Sequence, residues 1–222
     1  MSEENQNARI DSDLIALPNK APAVLQTKRV RLFPPLLARD AHCVHKHVTD
    51  AITKLWIGWD TPQTLDDSYA VMEDALLRRA AGHYQGWMGY VKGSSGIDTM
   101  RFCGVVSLER LSQPMRGAWY ELDFWLAQEH WGQGYALEMA QAVIDWAVCF
   151  TSLPCITLSW THGNERSRSV IERLIPGQKP EVHIAEKDGA ELPVYHYVLD
   201  LLPARRDHQM SWEQTTKAVA TA

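Results

Sequence analysis

Several features that would assign a protein class at once are missing from this chain of 222 residues. No apolar run reaches the roughly 18 residues that a membrane span needs. The formal net charge is −5, so the chain lacks the basic excess that usually marks a surface binding nucleic-acid phosphates. The N-terminal stretch MSEENQNARIDSD is acidic and polar and does not predict a secretory signal. We therefore expect neither a membrane nor a nucleic-acid partner.

Cysteine is also scarce, and the few cysteines lack a metal-binding or redox spacing. The four residues lie in apolar surroundings without a CxxC pair, which predicts reduced cysteines in a cytoplasmic protein; they are Cys43, Cys103, Cys149 and Cys155. In HCVHKH (42–47), His42 and His45 share one face of a predicted helix and could approach a metal. No third ligand is evident, so the sequence predicts no metal and favours a solvated helix face.

What the chain does contain is enough apolar residues, 45% of the total, to bury a core. The pattern predicts a flexible N-terminal segment (1–25), one folded domain (26–202) and a polar C-terminal tail (203–222). Hydrophobic periodicity and turn residues predict the elements of that domain. Strands are predicted at 27–35, 84–92, 100–111, 117–127 and 154–160 and as a pair within 181–201, and helices at 36–52, 64–82, 132–149 and 164–174. This order predicts a mixed α/β (α+β) domain with one main, mostly antiparallel sheet.

The most informative stretch is HWGQGYALEM (130–139), in which glycines stand at the start of a predicted helix. The first turn of a helix has unpaired N–H groups and positive partial charge. Gly132 and Gly134 remove the side chains that would keep a phosphate away, so the stretch predicts a diphosphate site. A P-loop is excluded because no Gly-Lys-Ser/Thr follows, and a dinucleotide-binding fold because antiparallel strands precede the turn. A plain tight turn before a core helix is the remaining alternative.

The surroundings of this stretch carry a family resemblance. The segment YELDFWLAQEHWGQGYALEMAQAVIDWA resembles motif A of the GNAT superfamily of acyl-CoA-dependent N-acetyltransferases: a strand, a Q/R-x-x-G-x-G/A turn and a helix. The first motif position is Trp131, a variant found in the branch of ribosomal-protein N-terminal acetyltransferases. NERSRSVIERL (164–174) resembles that branch's N-x-x-S-x-x-V-x-E-K-L helix. The resemblance covers residues 27 to 201.

This resemblance implies the GNAT fold, with a sheet splayed open beside motif A and flanked by about four helices, and acetyl-CoA as the cofactor. It implies that the pantetheine arm pairs with the exposed strand edge, that motif A amides hold the diphosphate, and that an asparagine and a serine of the later helix lie near the arm and the sulfur. In this chain those cofactor-binding positions are Phe124, Trp125, Leu126, Trp131, Gly132, Gln133, Gly134, Tyr135, Ala136, Asn164 and Ser167.

Glu121 is the leading candidate for the base that deprotonates the acceptor amine. Strand alternation places it on one face, and it stands where some relatives carry a catalytic glutamate. Apolar neighbours would raise its pKa towards the working range. Asp123, two residues along the same face, is the reserve candidate on the substrate side. A solvent-facing or salt-bridged strand carboxylate is the alternative interpretation of Glu121.

Two departures from the family pattern affect the proton that must reach the leaving thiolate. Many relatives place a general-acid tyrosine where this chain has Ile171, and the usual Gly-Phe after the helix is replaced by LIPG (174–177). Ser167 is the remaining candidate in this helix, since a hydroxyl can both donate and accept. Trp56, Trp59 and Trp87 could line an acceptor pocket, although core packing is the commoner role of tryptophan.

These features together predict an N-acetyltransferase that moves an acetyl group from acetyl-CoA to a primary amine by direct attack. The acceptor is a protein N-terminus or a small-molecule amine. A non-catalytic acyl-CoA-binding or sensing domain and a transferase with a longer acyl donor are the alternatives. The sequence leaves open whether the protein is a monomer or a homodimer.

Overall fold

The computed structural model describes residues 17–18, 24–57, 60–93, 96–187 and 189–206. The helices are α1 (Leu37–Val48), α2 (Ala51–Trp56), α3 (Leu65–Ala80), α4 (Tyr135–Phe150) and α5 (Glu165–Leu174). The strands are β1 (Leu25–Gln26), β2 (Val30–Phe33), β3 (Tyr84–Gly93), β4 (Gly96–Met115), β5 (Ala118–Leu126), β6 (Cys155–Thr161), β7 (Glu181–Lys187) and β8 (Ala190–Asp200).

The strands form one sheet in the order β1-β2-β3-β4-β5-β6-β8-β7. All neighbours are antiparallel except β5 and β6. The predicted mixed, mostly antiparallel sheet is therefore confirmed. None of the helices in these described stretches is long and apolar enough to cross a membrane.

Two hydrophobic clusters cover the two faces of the sheet. The larger contains the buried side of α4, including Met139 and Val143, with Ile171 of α5. The smaller joins α1 to α3 and to the opposite face of β3 and β4, with Val44 and Met72 among its members. A sheet between two helical layers leaves its strand ends, its loops and any part of a face that the helices do not cover to form the site.

The predicted helix over 36–52 is two helices. Asp50 lies outside helical geometry, and its side chain accepts hydrogen bonds from the N–H groups of Ile52 (3.1 Å) and Thr53 (3.0 Å). This N-cap starts α2 as a separate helix. Ile52, which the apolar spacing predicts on the same helix face as Ala41, Val44 and Val48, is exposed.

The chain ends of the domain also differ from the prediction. Leu17 lies in the predicted flexible segment, yet it is buried in the core and its N–H donates to the Gly82 carbonyl over 3.2 Å. Residues 202–206, of which 203–206 belong to the predicted tail, form a helical turn. Arg205 there donates to the carbonyls of Val148 and Leu153, each over 3.1 Å, and so closes the C-terminal end of α4.

Candidate active site

The sheet opens between its two parallel strands. β5 pairs with β6 only at Glu121 and Thr157, whereas the other edge of β6 pairs with β8 over its whole length. Beyond Glu121 the strands separate, so the edge of Phe124–Leu126 has no partner in β6 among the described residues. The predicted splay is confirmed, and it leaves backbone groups free to pair with an extended ligand.

The space between the separating strands β5 and β6 forms a wedge. The glycine turn lies at the open end of this wedge, because α4 follows the carboxyl end of β5. Gly132 has φ 72° and Gly134 has φ 79°, both in the left-handed region that favours glycine. Gly134 is the N-cap residue of α4 and has no side chain to occupy the first N–H groups. A Cβ on Gly132 would meet no protein atom within 4 Å, so it would project into the open space before the helix.

Trp131, the variant first position of the motif, ties the turn to both sides of the wedge. Its indole Nε1 donates to the Leu126 carbonyl over 2.9 Å. The guanidinium of Arg166 of α5 stacks over its ring in a cation–π contact, with Cζ 4.4 Å from the ring centroid. The remaining motif residues are placed as the helix start requires: Tyr135 and Ala136 bury their side chains, and Gln133 donates to the Glu129 carbonyl over 3.0 Å.

Three carboxylates meet on the face of the sheet beside the wedge. In the register of β4 and β5, Glu109 lies opposite Glu121 and Ser107 lies opposite Asp123. Ser159 of β6 donates a hydrogen bond to Glu121. Glu109 is paired with Arg78 of α3. Glu121 and Asp123 both line the cleft. Within the described residues neither forms an ion pair, whereas Glu109 does.

The surroundings raise the pKa of the Glu121 and Asp123 carboxyls. For Glu121 the main cause is burial and the second is the hydrogen bond from Ser159, which opposes it; the charge of Glu109 raises the pKa further. The pKa of Asp123 is raised well above its usual range by loss of hydration and by the charges of Glu121 and Glu109. Much of the surface of Asp123 stays open to water in the cleft, so screening limits the size of that shift, not its direction.

The cleft has a volume of about 670 Å³ and runs from these carboxylates to the helices α2 and α3. Its walls include Trp56, Phe124 and Trp125, with Met72 and Tyr84 deeper inside. Burial raises the pKa of Tyr84 to about 12, so its hydroxyl keeps its proton at neutral pH.

The three tryptophans predicted to line an acceptor pocket differ in where they lie. Trp56 lines the cleft, and its ring lies 3.5 Å from the position that a Cβ on Gly163 would take. Trp87 is fully buried and packs edge-on against Trp146 of α4, with ring centroids 5.0 Å apart. The prediction for Trp87 is therefore wrong, because the ring points to the opposite face of the sheet. Trp59 lies outside the described residues.

The helix α5 follows β6, so its first turn lies at the same open end of the wedge. Asn164 caps it by accepting from the N–H of Ser167 over 3.2 Å, which leaves its amide NH₂ for another partner. Ser167 is half-buried and is not among the residues that line the carboxylate cleft. Ile171 is fully buried in the core.

The histidines singled out in α1 have other partners. His45 Nδ1 lies 2.9 Å from the Ser68 hydroxyl, and His42 contacts Tyr69 edge-on with ring centroids 6.3 Å apart. Within the described part of the chain, no group of three or more histidine, cysteine or acidic side chains is arranged to hold a metal ion.

Comparison with known proteins assigns the class that this geometry defines. The family profile of the acetyltransferase (GNAT) domain matches residues 29–174, about two thirds of the chain. The chain therefore belongs to the GNAT acetyltransferase family, as the motifs indicate, and acetyl-CoA is the cofactor of that family.

The chain is also similar to two proteins of Bacillus subtilis. One is the uncharacterized protein YkkB, 26% identical over 138 residues, which are 62% of this chain and 59% of that protein. The other is YdaF, a proposed ribosomal N-acetyltransferase, 35% identical over 72 residues, which are 32% of this chain and 38% of that protein. The matches thus span less than two thirds of either relative.

Among solved structures, the ribosomal L7/L12 α-N-protein acetyltransferase RimL in complex with coenzyme A has the same fold. The TM-score is 0.62 at 16% identity, covering 81% of this chain and 99% of that one.

The residues present fit coenzyme A. The two left-handed glycines bare the first N–H groups of α4, and the edge of Phe124–Leu126, which β6 does not pair with, leads from them to Glu121. Phosphate groups bind helix N-termini of this kind, and an extended amide-bearing arm pairs with a free strand edge.

Proposed function

We propose that the protein is an N-acetyltransferase that moves an acetyl group from acetyl-CoA to a primary amine by direct attack in a ternary complex. The observation that carries this proposal is the position of Glu121. Among the described residues it is the one residue of β5 paired with β6, so its carboxylate stands where the wedge begins to open. A base at the end of a cofactor channel is what amine acetylation requires.

Each group of the cleft then has a role. Glu121 accepts the proton of the acceptor amine, directly or through a water molecule, and its raised pKa suits proton transfer near neutral pH. Asp123 lies two residues further along β5 and would orient the ammonium group before it loses that proton. Trp56 and Trp125 would cover the amine, since aromatic faces attract cations.

The cofactor side is divided between two elements. The thioester of bound acetyl-CoA supplies the acetyl group. An N–H at the free edge of Phe124–Leu126 would polarise its carbonyl, and the Asn164 amide would hold the pantetheine arm. Ser167 would donate to the departing sulfur, as the family resemblance implies. Direct attack is favoured over an acetyl-enzyme because no cysteine is among the described residues lining the cleft.

The acceptor is a protein N-terminus or a small-molecule amine. The names of YdaF and RimL refer to ribosomal N-acetylation, which favours a peptide N-terminus as the first acceptor to examine. The sequence has four cysteines and no CxxC pair, which is consistent with a reducing compartment, and we propose a cytoplasmic location on that basis.

The test is release of free thiol from acetyl-CoA with a panel of N-terminal peptides and small amines, with products identified by mass spectrometry. We expect Glu121→Gln to lower turnover about a hundredfold or more, the usual share of general base catalysis, without weakening coenzyme A binding. Glu186→Gln, an exposed strand carboxylate on β7, is the matched control. Coenzyme A binding without thiol release for any amine would instead favour a sensing domain. Faster turnover with succinyl-CoA would favour a longer acyl donor.

A further inference from the structure

A residue far from the glycine turn in sequence holds that turn in place. The connection between β1 and β2 lies against the N-terminal end of α4. Arg29 in this connection donates from Nη1 to the Gln133 carbonyl over 2.8 Å. It also binds Glu138 twice, from Nε over 2.7 Å and from its backbone N–H over 2.7 Å. One arginine thus joins the glycine turn to the helix that the turn starts.

The arginine is itself well anchored. The Glu138 carboxylate also accepts from the Thr27 hydroxyl over 2.5 Å, and Lys92 Nζ donates to the Thr27 carbonyl over 2.5 Å. The guanidinium carbon lies 4.6 Å from the centroid of the Tyr135 ring. A Cβ on Gly134 would lie 3.4 Å from Arg29 Nη2. The guanidinium therefore stands directly beside the turn.

The bond to Gln133 has a geometric consequence. A trans peptide group points its C=O and the following N–H in opposite directions. With the Gln133 carbonyl held towards Arg29, the N–H of Gly134 must point away from Arg29. Without that bond the peptide group could rotate easily, because Gly134 tolerates φ of either sign. A rotated peptide would present a carbonyl oxygen to the ligand in place of an N–H.

We propose that Arg29 is a positioning residue for acetyl-CoA: by fixing the Gln133–Gly134 peptide, it keeps an N–H directed at the diphosphate. This inference rests on the proposed function, since it assumes that the turn binds the cofactor.

The experiment compares two acetyl donors, acetyl-CoA and acetyl-pantetheine, which lacks the diphosphate. In Arg29→Ala we expect KM for acetyl-CoA to rise roughly tenfold or more, the worth of a charge-assisted hydrogen bond. We expect kcat and the kinetics with acetyl-pantetheine to change little. Arg29→Lys keeps the ion pair with Glu138 but loses the guanidinium fork, so its KM should be intermediate. Lys28→Ala is the control, since it removes the same charge from an exposed neighbour.

The outcomes separate the role of Arg29 from the function itself. Equal losses with both donors would mean that Arg29 only stabilises the fold, and a Lys28→Ala effect as large as that of Arg29→Ala would mean that only net charge matters. Either result overturns the proposal, as does an unchanged KM. If Arg29→Ala unfolds, which thermal melting would reveal, the donor comparison in Arg29→Lys decides. A wild-type protein that does not bind coenzyme A would overturn the proposed function and this inference with it.

Discussion

Glu109 of β4 lies directly opposite Glu121 of β5 in the antiparallel register. Like charges facing each other across strands destabilise a sheet, and here burial adds to the cost. Arg78 neutralises Glu109 from α3, and Ser159 donates to Glu121 from β6. These two partners hold the pair in place, and the hydrogen bond from Ser159 also lowers the pKa of Glu121 against the effect of burial.

The pH dependence of activity should therefore respond to two substitutions in opposite directions. As the base, Glu121 must be ionised, so activity falls as the pH falls through its raised pKa. Glu109→Gln removes a neighbouring negative charge, lowers that pKa and should move the acidic limb of kcat/KM to lower pH. Ser159→Ala removes a donor to the carboxylate, raises the pKa and should move the limb to higher pH.

The measurement is the pH profile of kcat/KM for each variant beside Glu186→Gln, whose profile should match that of the wild type. Limbs that shift in the same direction in both variants would show that Glu121 is not the group being titrated.

Asp123 should make the protein less stable at neutral pH than a neutral residue would. Its pKa is raised in the folded state. The unfolded chain therefore gives up the proton first, and stability falls as the pH rises from the unfolded pKa, about 3.9, to the folded one. Above that window the loss is constant. Asp123→Asn should melt at a higher temperature than the wild type at pH 8 and at nearly the same temperature at pH 4.

Thermal melting at the two pH values measures this difference. A lower melting temperature for Asp123→Asn at pH 8 would mean that the carboxylate serves a structural contact, and its proposed role on the substrate side would lose support.

The sequence predicts most elements because their signals are local. The capping box at Thr64 and Asp67 and the cap at Asn164 are readable from the residues alone, and both are present. The start of α4 is three residues later than predicted, because Gly132 and Gly134 adopt left-handed φ and cannot be helical. Trp87 is misassigned because β3 is buried on both faces, so strand alternation cannot say which side faces the cleft.

Only part of the site could be predicted from residues that are close together in the sequence. Glu109 was within reach of sequence reasoning, since strands at 100–111 and 117–127 joined by a short loop nearly fix its register against Glu121. The role of Arg29 could not be predicted, because its contact with Gln133 joins residues more than a hundred positions apart. Nothing in hydrophobic periodicity indicates which turn will lie against the start of which helix.

Gly132 should be required for cofactor binding as well as for the left-handed backbone of the turn, and the two requirements can be separated. A side chain in the left-handed region costs roughly 1–2 kcal/mol. Gly177→Ala, at φ 77° with no neighbouring atom within 4 Å, should therefore lower stability as Gly132→Ala does, at φ 72° and equally open. Only Gly132→Ala should also raise KM for acetyl-CoA, because its methyl group enters the space for the diphosphate. The measurements are the melting temperature and KM for acetyl-CoA of the wild type and the two variants. Equal KM values for the two variants would contradict a diphosphate site at Gly132.

Asn164 combines two roles that one pair of substitutions can separate. Its Oδ1 caps α5 by accepting from the Ser167 N–H, and its NH₂ is the proposed donor to the pantetheine arm. Asn164→Ala removes both and should cost about 1 kcal/mol of stability while raising KM for acetyl-CoA. Asn164→Asp keeps an acceptor at the cap, where a negative charge suits the helix dipole, but has no NH₂. We expect it to restore the melting temperature and leave KM high; a KM restored together with the melting temperature would show that Asn164 acts only as a cap.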